Sequence, residues 1–326
     1  MIKIALDMMG GDNAPSSNIG GVFEFLSENK NSTKIYLVGK SNDIKKELAL
    51  LPKIKSKYFE IVDASEIVDS NDRPSRIIKT KPDSSMNKAI CLLKDNIVDA
   101  VISSGNTGCL VSSSFFNLGT IDGIKRPALF TLIPSENSNF LLGDVGANSK
   151  STPEQLYQFS KMASIYTKYQ LKINNPKVAL LNIGTEPNKG TELIQKTYNL
   201  MEEKLNNFIG NLESRYIFDS KADIVICDGF TGNIVLKLIE GMMSYNLNLI
   251  SNKLNLQKPN IINNLKSIYD YEKTGAVPIL GINGLVLKSH GSSSKTSIKN
   301  ALKAAEELHQ FNLIKKFKKI VLWMLR

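Results

Sequence analysis

Lys3-Ile4-Ala5-Leu6-Asp7-Met8-Met9-Gly10-Gly11-Asp12-Asn13-Ala14-Pro15-Ser16 decides the fold. A short apolar run ends in a carboxylate, passes through paired glycines and reaches a proline that suits a first helical turn. An unbroken apolar run, rather than alternation, is what a parallel strand covered on both faces requires. The same rhythm recurs along the chain. Strands are predicted at Lys3–Leu6, Lys34–Val38, Phe59–Val62, Ala100–Ser103, Ala128–Leu132, Phe140–Asp144, Lys177–Asn182 and Asp223–Cys227. Helical patterns fall at Ser16–Asn29, Asp43–Leu51, Ser85–Lys94, Thr107–Leu118, Pro153–Tyr169, Gly190–Asn206, Gly232–Leu254 and Ser292–His309. Strand and helix in alternation imply an α/β fold with a doubly wound, mostly parallel sheet.

In such a sheet ligands bind beyond the carboxyl ends of the strands, over helix N-termini. Five glycine turns occupy those ends. They are Asp7 to Pro15 with Gly10 and Gly11; Ser104-Gly105-Asn106-Thr107-Gly108; Asp144-Val145-Gly146-Ala147-Asn148; Asn182 to Gly190, with Gly184 and the cation Lys189; and Asp228-Gly229-Phe230-Thr231-Gly232-Asn233. One such turn is ordinary loop chemistry. Five at equivalent strand ends are expected to face one crevice rich in N–H donors, which suits phosphate or another oxyanion.

Several machines are missing. No Gly-x-Gly-x-x-Gly follows a strand, so dinucleotide binding lacks its fingerprint. Gly39-Lys40-Ser41 resembles the end of a phosphate loop, but Lys34 stands where its first glycine is needed. No Gly-x-Ser-x-Gly elbow occurs, and with only His290 and His309 a Ser-His-Asp or Cys-His relay is hard to build. Cys91, Cys109 and Cys227 form no CxxC pair, so neither a disulfide framework nor a zinc site is expected; Cys109 and Cys227 read as small buried residues. No metal and no cofactor is expected.

The net charge is +10, from 41 basic and 31 acidic residues. Lys315, Lys316, Lys318, Lys319 and Arg326 carry half of that excess, and no nucleic-acid module is visible, so no nucleic-acid partner is expected. An acidic protein or anionic lipid explains the charge as well. No secretory signal and no apolar stretch of about 18 residues is present, pointing to the cytoplasm. Residues 1–310 are expected to form a single α/β catalytic domain with a helical protrusion around 242–272, and 311–326 a basic amphipathic tail. Two readings fit the tail: a helix lying on an anionic membrane, or a helix packed on the dimer with its lysines in water. Leu254–Glu272 likewise reads as a packed helical hairpin or as a lipid-touching surface.

The ordered motifs resemble the phosphate acyltransferase family of bacterial phospholipid synthesis. They are Asp7 to Pro15, Lys81-Pro82-Asp83-Ser84-Ser85-Met86, Ser104 to Gly108, Arg126-Pro127-Ala128, Asp144 to Asn148, Leu181 to Gly184, Lys189-Gly190, Cys227 to Asn233 and His290-Gly291-Ser292-Ser293. The likeness runs from Ile4 to about Leu308. It departs at Met8 and Cys109, where alanine is usual, at Asp69–Pro74 and after Asn148. The resemblance implies a fold related to isocitrate and isopropylmalate dehydrogenases and to phosphotransacetylase. It also implies a homodimer, peripheral contact with the inner face of the cell membrane, and a downstream glycerol-3-phosphate acyltransferase. The implied reaction moves a long-chain acyl group from acyl carrier protein to inorganic phosphate, with Lys189 and Asn233 at the positions of the family's active-site lysine and asparagine.

Phosphate is itself an anionic nucleophile, so the expected task of the protein is positioning and donation. Lys189 would orient phosphate, the N–H groups of Gly10, Gly11 and Gly105–Gly108 would cradle it, and Asn233 would donate to phosphate or to the oxyanion. Asp144 and Asp228 read either as orienting groups for the lysine and turn N–H groups or as structural caps. His290 reads as a donor to the leaving sulfur or as a structural hydrogen bond. Lys79 and Lys81 offer a basic rim for the acidic carrier.

Overall fold

Ile4, Ala5 and Leu6 are completely buried because strands flank β1 (Ile2–Asp7) on both edges and helices cover it. A computed structural model describes residues 1–28, 33–52, 56–135, 139–253 and 274–324. The chain divides into two compact units, Met1–Pro127 with Tyr271–Arg326, and Ala128–Asp270.

In the first unit β2 (Thr33–Gly39), β3 (Phe59–Asp63), β4 (Ala100–Ser103), β10 (Ala276–Leu280) and β11 (Leu285–Ser289) join β1 in the order β3-β2-β1-β4-β11-β10. All neighbours are parallel except the β10–β11 hairpin. The chain leaves β1 to one side for β2 and to the other for β4, which is the switch point that a doubly wound sheet offers to ligands. Helices α1 (Ser16–Glu28), α2 (Ser41–Ala49), α3 (Ile77–Thr80), α4 (Ser85–Lys94) and α5 (Thr107–Leu118) belong to this unit. So do α9 (Lys295–Gln310) and α10 (Leu313–Met324). Close packing of α1 on α9 depends on Gly21, where a Cβ would lie 2.5 Å from that of Ile298.

The second unit orders its strands β5-β6-β9-β7-β8, from β5 (Ala128–Ile133), β6 (Phe140–Gly143), β7 (Val178–Asn182), β8 (Phe208–Glu213) and β9 (Ile224–Ile226). Only the β5–β6 pair is antiparallel. Its helices are α6 (Pro153–Gln170), α7 (Glu192–Lys204) and α8 (Gly229–Lys253). Thr152 and Gln155 form a reciprocal capping box at the start of α6, with Pro153 in the first turn.

All eight predicted strands form, and the α/β, mostly parallel character holds in each unit. The sequence reading omitted β8, β10 and β11. β8 is half-buried, with no fully buried position, so its apolar signal is weak. The β10–β11 hairpin is antiparallel and breaks the βαβ rhythm that guided the assignment. Of the protrusion expected around 242–272, residues 254–272 lie outside the described residues. In the tail, Leu313, Phe317 and Val321 repeat every four residues and are all buried. Leu313 and Phe317 sit with Ile121, Pro278, Leu280 and Leu285 around a small apolar cavity. The apolar face of α10 is therefore spent on its own unit, and Lys315, Lys318 and Lys319 face outward.

Candidate active site

Asp7 ends β1 with its carboxylate buried. Ser85 and Ser103 hydroxyls donate to it, each at 2.6 Å, one to each oxygen, and the Met9 N–H donates at 3.2 Å. Burial pushes its pKa above the ordinary 3.8, and those hydrogen bonds partly oppose the rise. Ser103 Oγ in turn accepts the Gly105 N–H at 3.0 Å. The first two glycine turns are thus tied through one carboxylate. They also touch: a Cβ at Gly10 would lie 2.7 Å from the Gly105 nitrogen, so only a bare backbone fits there. The turn at Gly291 joins them, since the Asp12 N–H donates to the Gly291 carbonyl at 2.8 Å. Asn18, buried in the first turns of α1, donates to the carbonyls of Asp7, Met8 and Gly10.

Asn106 caps α5, accepting the Cys109 N–H at 3.1 Å, while its amide donates to the Ser70 carbonyl. Thr107 and Gly108 begin that helix, where backbone N–H groups and the helix dipole favour an anion. Lys81 donates to the Ile67 carbonyl and to Asp69 and Asp72, all within 2.7 Å. Its ammonium holds the 67–72 loop, so of the expected basic rim Lys79 alone turns its charge outward. His290 Nδ1 accepts the Ser292 N–H at 3.3 Å and lies 2.8 Å from the Ser292 hydroxyl.

The second unit repeats the device. Asp144, fully buried, accepts from Leu129 N and Ala147 N on one oxygen and from Asn148 N and Nδ2 on the other, all at 2.8–3.1 Å. Burial raises its pKa, against the pull of the Asn148 side chain and the three N–H groups. Asp228 accepts Phe230 N, Thr231 N and the Thr231 hydroxyl, which caps the start of α8. Both carboxylates hold turn N–H groups, and Lys189 is not among their partners. Asn233 projects exposed from the first turns of α8 and lies against the third glycine turn, with Nδ2 3.7 Å from where a Gly146 Cβ would sit.

Lys189 is exposed, and its stem crosses Gly184, with Cγ 3.4 Å from the position of a Cβ there. Its loop is rigid for reasons the sequence reading missed. Asn182 donates to the Lys189 carbonyl at 3.1 Å, Gln195 to the Asn188 and Gly190 carbonyls, and Asn211 to the Glu186 carbonyl. These bonds fix the backbone of the loop, and among the described residues no carboxylate pairs with the Lys189 ammonium. Burial pushes the Cys227 thiol well up and Cys109 to about 11, so neither is a thiolate near neutral pH.

Residues 2–316 match the model of a family described as fatty acid synthesis protein. The chain is 42% identical over 327 residues to the phosphate acyltransferase of Dictyoglomus turgidum, covering 97% of this chain and 96% of that one. It is 40% identical over 333 residues to the phosphate acyltransferase of Halothermothrix orenii, covering 96% of each. The chain belongs to this family. Its fold is shared with a phosphotransacetylase from Streptococcus pyogenes, at a TM-score of 0.62, 16% identity and coverage of 95% and 94%. A branched-chain phosphotransacylase from Enterococcus faecalis superposes with a TM-score of 0.58, 14% identity and coverage of 94% and 98%. The chain places its glycine turns on the sheet architecture that the alternating pattern predicted.

Proposed function

We propose that this chain transfers a long-chain fatty acyl group from acyl carrier protein to inorganic phosphate. The observation that carries the reading is that each unit holds glycine-turn backbone on aspartates at its strand ends: buried Asp7 in the first, buried Asp144 and half-buried Asp228 in the second. Turns of this kind supply donors, and the nucleophile arrives with the substrate. Membership of the phosphate acyltransferase family supports phosphate as that nucleophile.

A phosphate oxygen attacks the thioester carbonyl, and a C–O bond forms as the carbonyl becomes an oxyanion. The oxyanion collapses, the C–S bond breaks, and the carrier thiolate leaves, giving acyl phosphate. Lys189 orients phosphate as a point charge, and turn N–H groups share its load. Asn233 donates to phosphate or to the oxyanion without a change of protonation state. His290 donates a proton to the departing sulfur.

Purified protein mixed with palmitoyl-acyl carrier protein and phosphate is expected to release carrier thiol and acyl phosphate together, and only with phosphate. Release from acetyl-coenzyme A but not from the carrier would replace this reading with a short-chain transacylase.

The homodimer rests on α8, whose Phe230, Ile234, Leu238, Met242 and Tyr245 are exposed at close to helical spacing. A sedimenting mass near 36.1 kDa would remove it. For peripheral membrane contact the outward lysines of α10 carry the argument, since no helix among the described residues is long and apolar enough to cross a membrane. Changing Lys315, Lys318 and Lys319 to Glu should weaken binding to phosphatidylglycerol vesicles by about fivefold per charge or more. Equal binding at low salt would remove the membrane reading.

A further inference from the structure

Lys288 stands one residue before the end of β11, in register with Ser103 of β4. Its half-buried side chain reaches across the strand ends. Nζ donates to the Ser104 carbonyl at 3.4 Å and to the carbonyl of Ser289. An ammonium therefore lies on the second glycine turn, beside the N-terminus of α5. At 3.4 Å the contact with Ser104 is long for a hydrogen bond.

A second, independent feature marks the same place. Ser104 is 3% exposed, and its hydroxyl has no hydrogen-bond partner among the described residues. A buried hydroxyl left unpaired is costly, so a ligand that pairs it is favoured there. The first turn, the second and the Gly291 turn meet at this residue: a Cβ at Gly11 would lie 3.0 Å from Ser104 Cβ and 3.1 Å from the Gly291 carbonyl oxygen. The nearby Asp7 carboxylate is covered by Ser85, Ser103 and Met9, which shields an incoming anion from it.

We infer that Lys288 and Ser104 anchor a phosphate-oxyanion subsite within the first unit, with Lys288 as its cation. The inference deepens the transacylase reading and rests on it for the identity of the ligand. That ligand is either the free phosphate substrate or the phosphoryl group on the donor's prosthetic arm.

The test uses the full chain as wild type and as Lys288→Met, Lys288→Arg and Ser104→Ala. Inorganic phosphate, against chloride at equal ionic strength, should raise the melting temperature of the wild type. Lys288→Met should abolish that rise and Lys288→Arg should keep most of it. Ser104→Ala should melt no lower than the wild type without phosphate, yet need several-fold more phosphate for the same rise. In steady state Lys288→Met should raise one Michaelis constant at least about tenfold, the loss expected for a charge-assisted hydrogen bond. A rise for phosphate assigns the subsite to the free substrate, and a rise for the acyl donor assigns it to the arm. An unchanged phosphate response with both constants unchanged overturns the inference and leaves the reaction standing. A Lys288-dependent response in a protein that transfers no acyl group keeps the subsite and removes the reaction. Should Lys288→Met fail to fold, the other two variants carry the same comparison.

Discussion

Lys189→Ala should lower turnover with palmitoyl-acyl carrier protein and phosphate by about 10²–10³-fold, the scale of removing one preorganised charge donor. Its stability should change by no more than about 0.5 kcal/mol, as for other exposed positions. The separation follows from the loop. The bonds that shape it use the backbone of residue 189, whose N–H donates to Glu186 and whose carbonyl accepts from Asn182, and alanine keeps both. Only the stem over Gly184 and the ammonium are lost. Measured kcat and Michaelis constants beside a urea unfolding curve decide the matter. Near-normal turnover would remove Lys189 from the reaction, and a large loss of stability would make it a structural residue.

Gly232→Ala should destabilise the protein by about 3 kcal/mol, at the upper end of overpacking costs. The new methyl would run into the Asp144 carbonyl oxygen and lie 2.7 Å from Cys227 Sγ. The Asp144 turn has little room to yield, because four donors clamp its carboxylate. The start of α8 must lift instead, which pulls Asn233 off the Gly146 turn, so turnover should fall as well. Gly241, on the same helix, is the control: among the described residues nothing lies within 4 Å of a Cβ there, and alanine should stabilise by about 0.5–1 kcal/mol. Urea unfolding of both variants tests the pair, and equal stability of the two would show that the approach of α8 to β6 is not tight.

Both clusters show what tertiary packing adds to a glycine motif. The motif residues Gly10, Gly105 and Gly232 were visible as turn formers, and the structure explains them as contacts between backbones. Asp144 and Asp228 have turn N–H groups as partners, which the sequence could not show without knowing where those groups point. Lys288 escaped the sequence reading because the β11 hairpin did. Its Leu285-Val286-Leu287 run before Lys288 and Ser289-His290-Gly291 carries the same strand-then-turn signal as the other five. The Gly281-Ile282-Asn283-Gly284 stretch before it marks the hairpin loop.

Local pattern alone determined the alternation of strand and helix, the parallel character of most strands and the positions of five glycine turns. These properties depend on residues close in the chain: apolar runs, helix caps and conformations open to glycine. Tertiary structure alone decided that Asn18 holds three carbonyls of the first turn, and that Asn182, Gln195 and Asn211 brace the lysine loop. It also decided that Lys81 is spent on its own loop and that the tail buries Leu313, Phe317 and Val321. An amide, an ammonium or an amphipathic face has the same sequence signature whether its partner is water, a ligand or a distant carbonyl. Only the fold brings that partner within hydrogen-bond distance, and the desolvation cost of leaving a buried group unpaired then selects the arrangement.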